Sequence, residues 1–354
     1  MDFAFSDEQQ MLRAATRDFL AARLPVERVA ELADADPGWD PASWRQVVDL
    51  GWVGLSIAED RGGAGMTFVD EAVVFEEAGR GLYPGPLFST VALALPLLDA
   101  AEDRAPLGAV LAGDRTATVG RGAGVTVDGG RLTGTARLVP DAAIADDLLV
   151  VSDEGTDNPA VWRVDLAADR SVVRPCSTMD RTRRYGDVVL DGTPATSLLT
   201  ADRAADALAV SRLRGQAALA CEAVGVAQRC LDIAAEHATQ RHQFGRPIGS
   251  YQGVSHRVAN IYVSLELARS LAYWAAWCVS VGDEQAESAC AAAKSAGAEA
   301  AVFAAENAIQ AMGGIGFTWD HPLHRFYKRA QWIASYDGFP REHRARLAAA
   351  LLDA

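Results

Sequence analysis

Apolar residues recur at steps of three and four in both end regions of the chain and alternate in steps of two only in the middle. Near the N-terminus, Met11, Leu12, Ala15 and Phe19 form one apolar stripe. Ser6 and Gln9 have the spacing of a capping box, so a helix is predicted from Ser6 to Leu24. A second helix is predicted from Pro41 to Leu50, ended by Gly51. Gly62-Gly63-Ala64-Gly65 reads as a loop, and Thr67 or Asp70 would cap a helix through Val73, Val74 and Phe75. Pro84-Gly85-Pro86 breaks that helix, and an apolar helix follows from Ser89 to Ala100. The pattern then changes. Val125 to Thr133 alternates around Gly129-Gly130, a hairpin signal. Leu148–Val151, Val161–Val164 and Asp187–Leu190 are short strand candidates. From Ala201 the helical period returns, with Val254, Val258, Ile261, Leu265, Ala268 and Ala272 on one stripe. An alanine-rich run from Glu287 to Met312 stops at Gly313-Gly314, as a glycine cap would stop it. Helices, then strands, then helices give an α+β fold. Three domains are expected: 1–113 helical, 114–200 a small antiparallel β domain, and 201–354 helical.

Composition narrows the function classes. The chain has 354 residues, half of them hydrophobic, enough for a large core. Its net charge of −14 argues against nucleic acid or an anionic membrane as a partner. The opening Met1-Asp2-Phe3-Ala4-Phe5-Ser6-Asp7-Glu8 is acidic where a signal peptide would be basic, and no apolar run is long enough for a span. A cytoplasmic location is expected. Cys176, Cys221, Cys230, Cys278 and Cys290 lack metal-ligand spacing and read as reduced, packed thiols, and no metal site is expected.

Two motifs in the last third carry the candidate chemistry. Arg241-His242-Gln243-Phe244-Gly245 runs on to Tyr251 and Gln252. Gln310-Ala311-Met312-Gly313-Gly314-Ile315-Gly316-Phe317 follows, and Asp337 lies 27 residues after Gln310. Arginine and glutamine at helix ends, with glycines that admit a ligand to the backbone, suit a dinucleotide pyrophosphate. A guanidinium forks two hydrogen bonds onto pyrophosphate oxygens. A carboxylate beyond them suits a base that takes a proton next to a carbonyl.

These residues resemble the acyl-CoA dehydrogenase family over nearly the whole chain. The likeness rests on Phe5-Ser6-Asp7-Glu8-Gln9, on Gly54-Leu55 with Glu59, Gly62-Gly63 and Gly65, on Arg184-Tyr185-Gly186-Asp187-Val188, and above all on the two motifs and Asp337. The resemblance implies an N-terminal helical domain, a central β domain and a C-terminal four-helix bundle. It implies FAD as cofactor, an acyl-CoA substrate, a homo- or heterotetramer, and an electron-transfer flavoprotein as electron acceptor. By position, Arg241, His242 and Gln243 would meet the FAD phosphates, with Phe244 shaping the site and Tyr251 and Gln252 nearby. Gln310, Ala311, Met312, Gly313 and Gly314 would line the adenosine half. Asp337 takes the place of the family's glutamate base.

The sequence departs from the family where the flavin ring should be held. The usual Thr-Glu-Pro-x-x-Gly-Ser-Asp segment is replaced near Ala117 to Gly124, with Gly120 to Gly124 read as a flexible connection. The Trp-Ile-Thr-like strand is replaced by Arg137-Leu138-Val139-Pro140-Asp141. An expected arginine is Gln216. Aspartate is also one methylene shorter than glutamate. Contacts to a neighbour's FAD are thus kept and contacts to the chain's own flavin eroded, as in the shorter subunit of actinobacterial α2β2 members, including those acting on steroid side chains. Three readings follow: an acyl-CoA dehydrogenase with Asp337 as base; a non-catalytic subunit completing a paralogue's FAD site; and an aspartate-based oxidase of the nitroalkane oxidase type. Glu222 is read as a structural carboxylate. Arg181, Arg183 and Arg184 are read as a solvated loop, with coenzyme A phosphates as the alternative.

Overall fold

The computed structural model describes residues 4–121, 124–156 and 158–352. In chain order the helices before the strands are α1 (Asp7–Arg23), α2 (Val26–Asp34), α3 (Pro41–Asp49), α4 (Phe68–Arg80), α5 (Leu95–Ala100) and α6 (Ala105–Leu111). A π-helical stretch, Phe88–Ala94, leads into α5. The strands are β1 (Ala117–Arg121), β2 (Thr126–Asp128), β3 (Arg131–Pro140), β4 (Asp147–Ser152), β5 (Ala160–Asp165), β6 (Val173–Pro175), β7 (Tyr185–Pro194) and β8 (Thr196–Thr200). Then come α7 (Ala201–Gln240), the two-residue strands β9 (His242–Gln243) and β10 (Arg246–Pro247), α8 (Gln252–Val281), α9 (Ala286–Met312), α10 (Leu323–Ser335) and α11 (Pro340–Leu352). This is the expected α+β order.

One unit comprises residues 1–31, 68–83 and 216–354. Its centre is helical. The predicted stripe on α8 is buried at Ile261, Leu265, Ala268 and Ala272, and it packs on the alanine-rich α9. Small side chains let backbones approach. A Cβ on Gly225 of α7 would lie 1.8 Å from the Glu76 carbonyl oxygen of α4, and one on Gly79 of α4 would lie 2.0 Å from the Glu222 carbonyl oxygen. These two glycines set the α4–α7 crossing. Beside it, Glu222 pairs with Arg329 of α10, both with almost no exposure, which makes Glu222 structural as expected. The capping box of α1 forms through Ser6 and Gln9. Its buried face, however, runs through Thr16 and Leu20, while Met11 and Ala15 stay exposed. The sequence stripe was set one residue off because Thr16 satisfies its hydroxyl internally, on the Leu12 carbonyl. Asp70 is the third residue of α4, inside the helix rather than ahead of it, and its carboxylate accepts from Gln9 Nε2 at 3.0 Å.

The second unit comprises residues 32–67 and 84–215. Its strands form two four-stranded sheets, ordered β1-β4-β5-β8 and β2-β3-β7-β6. Leu132, Ala136, Val139, Val188 and Leu190 from one sheet meet Leu148, Val150 and Val164 from the other in a shared core. The predicted hairpin forms between β2 and β3, with Gly129 and Gly130 at φ 52° and 76°, a conformation that favours glycine at both positions. One pair departs from the antiparallel expectation: β1 runs parallel to β4, because the chain between them spends β2 and β3 in the other sheet. Gly120 and Arg121 belong to β1 rather than to a flexible connection, and Gly122 and Ala123 lie outside the described residues. The arginine cluster is not a solvated loop. Arg184 Nη2 donates to the Ala33 carbonyl at 3.2 Å, Arg181 pairs with Asp34, and the Arg183 guanidinium is buried 5.3 Å from the Phe88 ring centroid. Cations on the last carbonyls of α2 complement its dipole.

Candidate functional site

The first motif folds as a tight hairpin after α7. Gln243 pairs with Arg246 and His242 with Pro247. The two-residue turn places Phe244 at φ 52° and Gly245 at φ 81°. Phenylalanine tolerates the left-handed region poorly, so a local constraint holds it there. Tyr251 supplies one: its hydroxyl donates to the Gln243 carbonyl at 3.1 Å, and the Arg246 guanidinium stacks 4.1 Å from its ring centroid. The Phe244 and Tyr251 rings meet edge to face at 6.4 Å. Phe244 is nevertheless 93% exposed, and Arg241, His242, Gln243 and Gln252 are also exposed. A Cβ on Gly249 would meet the Ala238 carbonyl oxygen at 2.9 Å, so the segment returns closely along α7.

The second motif ends α9. Gly313 caps the helix at φ 68°, and its amide donates to the Gln310 carbonyl. Gln310, Gly313 and Gly314 are exposed, Ala311 and Met312 half-buried. A Cβ built on Gly313 or Gly314 meets no atom within 4 Å, so this backbone is open to a ligand. Gly316 is different: a Cβ there would meet the Ile309 carbonyl oxygen at 2.7 Å, so it serves packing. The hairpin precedes α8, and Gln310–Gly314 closes α9. Arg257 on the second turn of α8 donates to Asn307 Oδ1 near the end of α9 at 2.7 Å. Both motifs therefore stand at the same end of the α8–α9 pair.

Exposed Arg241, amide side chains and open glycine backbone are a donor set suited to the pyrophosphate and adenosine of FAD. The residues present fit that half of the cofactor.

Asp337 stands elsewhere. It follows α10 at φ 55° and is half-buried. Gln216 Nε2, on buried α7, donates to its Oδ2 at 2.6 Å. Lys294 of α9, fully buried, donates from Nζ to the Ile333 carbonyl at 2.7 Å, and its charge interacts with Asp337. Burial pushes the Lys294 ammonium down to about 8, and Asp337 opposes that shift. Buried His343 of α11 is held below its ordinary value by burial first, then by the Lys294 charge. Lys294 precedes Gln310 by 16 positions on one helix, roughly 24 Å of rise. The chain thus gathers the two cofactor motifs at one end of the α8–α9 pair and sets Asp337 beside Gln216, Lys294 and His343. Lys294 and His343 were not singled out from the sequence. The signal for Lys294 was a lone cation inside an otherwise apolar alanine-rich helix.

The positions expected to touch a flavin ring are also rebuilt. Arg137 and Leu138 fall in a register shift of β3, with Leu138 at φ 49° and its amide donating to Asp187 Oδ1 at 2.8 Å. Asp141 is buried and accepts from Ser89 Oγ at 2.7 Å. Among the described residues, no helix is long and apolar enough to cross a membrane.

Comparison with known proteins gives a consistent picture. The acyl-CoA dehydrogenase N-terminal domain matches residues 6–103 and the C-terminal domain residues 202–352. Acyl-CoA dehydrogenase IpdE2 of Mycobacterium tuberculosis (strain ATCC 25618 / H37Rv) is 34% identical over 343 residues, 96% of this chain and 96% of that one. The ChsE4-ChsE5 complex from Mycobacterium tuberculosis aligns at TM-score 0.89 and 27% identity, over 100% of this chain and 100% of the other. A variant of the Tcur3481-Tcur3483 steroid ACAD aligns at TM-score 0.87 and 28% identity, over 98% of each chain.

Proposed function

The chain belongs to the acyl-CoA dehydrogenase family of FAD flavoproteins, and from that premise we propose that it works as one subunit of a heteromeric acyl-CoA dehydrogenase, completing an FAD site whose flavin ring is held by a paralogous chain. The reaction is α,β-desaturation of an acyl-CoA thioester: the α-proton goes to a carboxylate base, and FAD, when bound, accepts the β-hydride. Electrons leave to an electron-transfer flavoprotein. The name of one structural relative, the Tcur3481-Tcur3483 steroid ACAD, supports a steroid-derived acyl group as the substrate class.

The observation that carries the proposal is the separation within one chain. Arg241, His242, Gln243, Phe244, Tyr251 and Gln252 stand with Gln310 to Gly314 at an exposed helix end, while Asp337 interacts with Lys294, which lies about 24 Å of helix rise before Gln310. In this reading Arg241 forks onto the pyrophosphate, the Gly313-Gly314 backbone admits the adenosine half, and exposed Phe244 is covered by the neighbouring subunit. In chain order the domains are 1–113, helical, 114–200, the β domain, and 201–354, helical. Asp337 keeps the position of a base but is committed to Gln216, so the paralogue supplies the base. The second reading, Asp337 as this chain's own base, is favoured by its place two residues beyond α10 beside Gly338.

The test is FAD stoichiometry. The chain purified alone should carry under about a tenth of an FAD per chain; co-expressed with a paralogous acyl-CoA dehydrogenase chain, it should yield one FAD per pair. One FAD per chain in a homo-oligomer that acyl-CoA bleaches would contradict the proposal.

A further inference from the structure

Outside the cofactor motifs, the helical unit holds a cavity of about 450 Å³ flanked by α1, the start of α2, the end of α4, α7 and α10. That volume lies within the small-molecule range of roughly 300–1,000 Å³. Its apolar lining includes buried Leu20, Leu24 and Phe326 and half-buried Val26. Arg17, Arg80 and Arg229 also line it, with Glu77 and Glu27.

Charge accounting singles out one of these. Arg17 is committed to Glu77, with Nε to Oε2 at 3.0 Å and Nη2 to Oε1 at 2.7 Å. Arg80 is committed to Asp232 at 2.6 Å. The other Asp232 oxygen accepts from Gln228 at 2.8 Å. Arg229 is half-buried and, among the described residues, has no carboxylate within ion-pair distance. Glu27 also lines the cavity but is solvent-exposed. A guanidinium at the edge of an apolar chamber is costly to leave without an anion and forks naturally onto a carboxylate. With one uncommitted cation, a monoanion matches better than a dianion.

We propose that this cavity binds a lipid-like monocarboxylate, its carboxylate on Arg229 and its apolar body against Leu20, Leu24, Val26 and Phe326. The site is separate from the cofactor motifs and does not depend on which chain carries the base.

Decanoate is the probe, titrated calorimetrically into the FAD-loaded assembly, with decan-1-ol as the neutral counterpart. Saturable binding of one decanoate per chain is expected, weakened about tenfold or more by Arg229→Gln, as the loss of a charge-assisted pair implies, with decan-1-ol unaffected by that change. Val26→Asp, which leaves Arg229 in place, should also weaken decanoate. In the unaltered protein, decanoate should slow amide exchange over residues 20–27. Absence of saturable binding, equal affinity in Arg229→Gln, or exchange protection confined to other segments would each overturn the proposal.

Discussion

Gln216 Nε2 donates a 2.6 Å hydrogen bond to Asp337 Oδ2. Gln216 is 2% exposed, so its amide has little alternative partner, and the carboxylate is fixed from the α7 side. A general base has to present a free oxygen to the proton that it takes. Here one oxygen is occupied, and the fully buried Lys294 lies within electrostatic reach. The hydrogen bond links α7 to the α10–α11 turn through one of the two carboxylate oxygens, and in the proposed division of labour the base comes from the paralogue.

Arg241 is expected to contribute to FAD retention. Arg241→Ala removes a charge-assisted contact worth about 1.5–3 kcal/mol. FAD affinity of the assembled protein should therefore weaken by about 10- to 100-fold in the alanine variant, and by less in Arg241→Lys. Fluorescence titration of released flavin reads this directly, and an unchanged constant would remove Arg241 from the site.

Lys294 should make stability depend on alkaline pH. Its folded value of about 8 lies below the ordinary 10.5, so between these values the unfolded chain binds more protons than the folded one. Stability then rises as pH climbs from about 8 to 10.5, and the penalty of burying the charge is fully present below 8. The integrated effect is on the order of 3 kcal/mol. Denaturant midpoints of the parent and of Lys294→Met should diverge over that window; parallel curves would refute the linkage.

Gly225→Ala should destabilise the α4–α7 crossing by at least about 2 kcal/mol, because its Cβ would overlap the Glu76 carbonyl oxygen. Gly108→Ala in α6 is the control. No atom lies within 4 Å of its Cβ, so it should be neutral or stabilising by up to about 1 kcal/mol. Urea unfolding of both variants separates close packing from helix propensity.

The buried Glu222–Arg329 pair makes an opposite kind of prediction. Arg329→Met alone strands a buried carboxylate and should cost about 3–5 kcal/mol, whereas Arg329→Met with Glu222→Met should recover most of it. A double variant no more stable than the single one would mean that the charges themselves are needed.

Much of this was legible in the sequence, for identifiable reasons. Glycine caps at Gly51 and Gly313, the Ser6–Gln9 box and the Gly129-Gly130 turn are local devices, and local devices are readable. The stripe on α8 was readable because one face meets a single partner, α9. The parallel β1–β4 pair was not, since it depends on where the intervening hairpin goes. Arg184 looked solvated because nothing in its own neighbourhood announces the end of α2, about 150 residues earlier. At the candidate site, the cofactor motifs were visible as residue types at fixed spacing. The surroundings of Asp337 were not: Gln216, Lys294 and His343 come from three separate helices and converge only on folding.

The most direct test of the division of labour is single-turnover flavin reduction by an acyl-CoA in the assembled complex carrying Asp337→Asn. If the paralogue supplies the base, the reduction rate should stay within about twofold of the parent, since a neutral amide at position 337 touches no reacting atom. A fall of about 100-fold or more, of the size that general-base removal produces, with FAD still bound, would contradict the account and return the base to this chain.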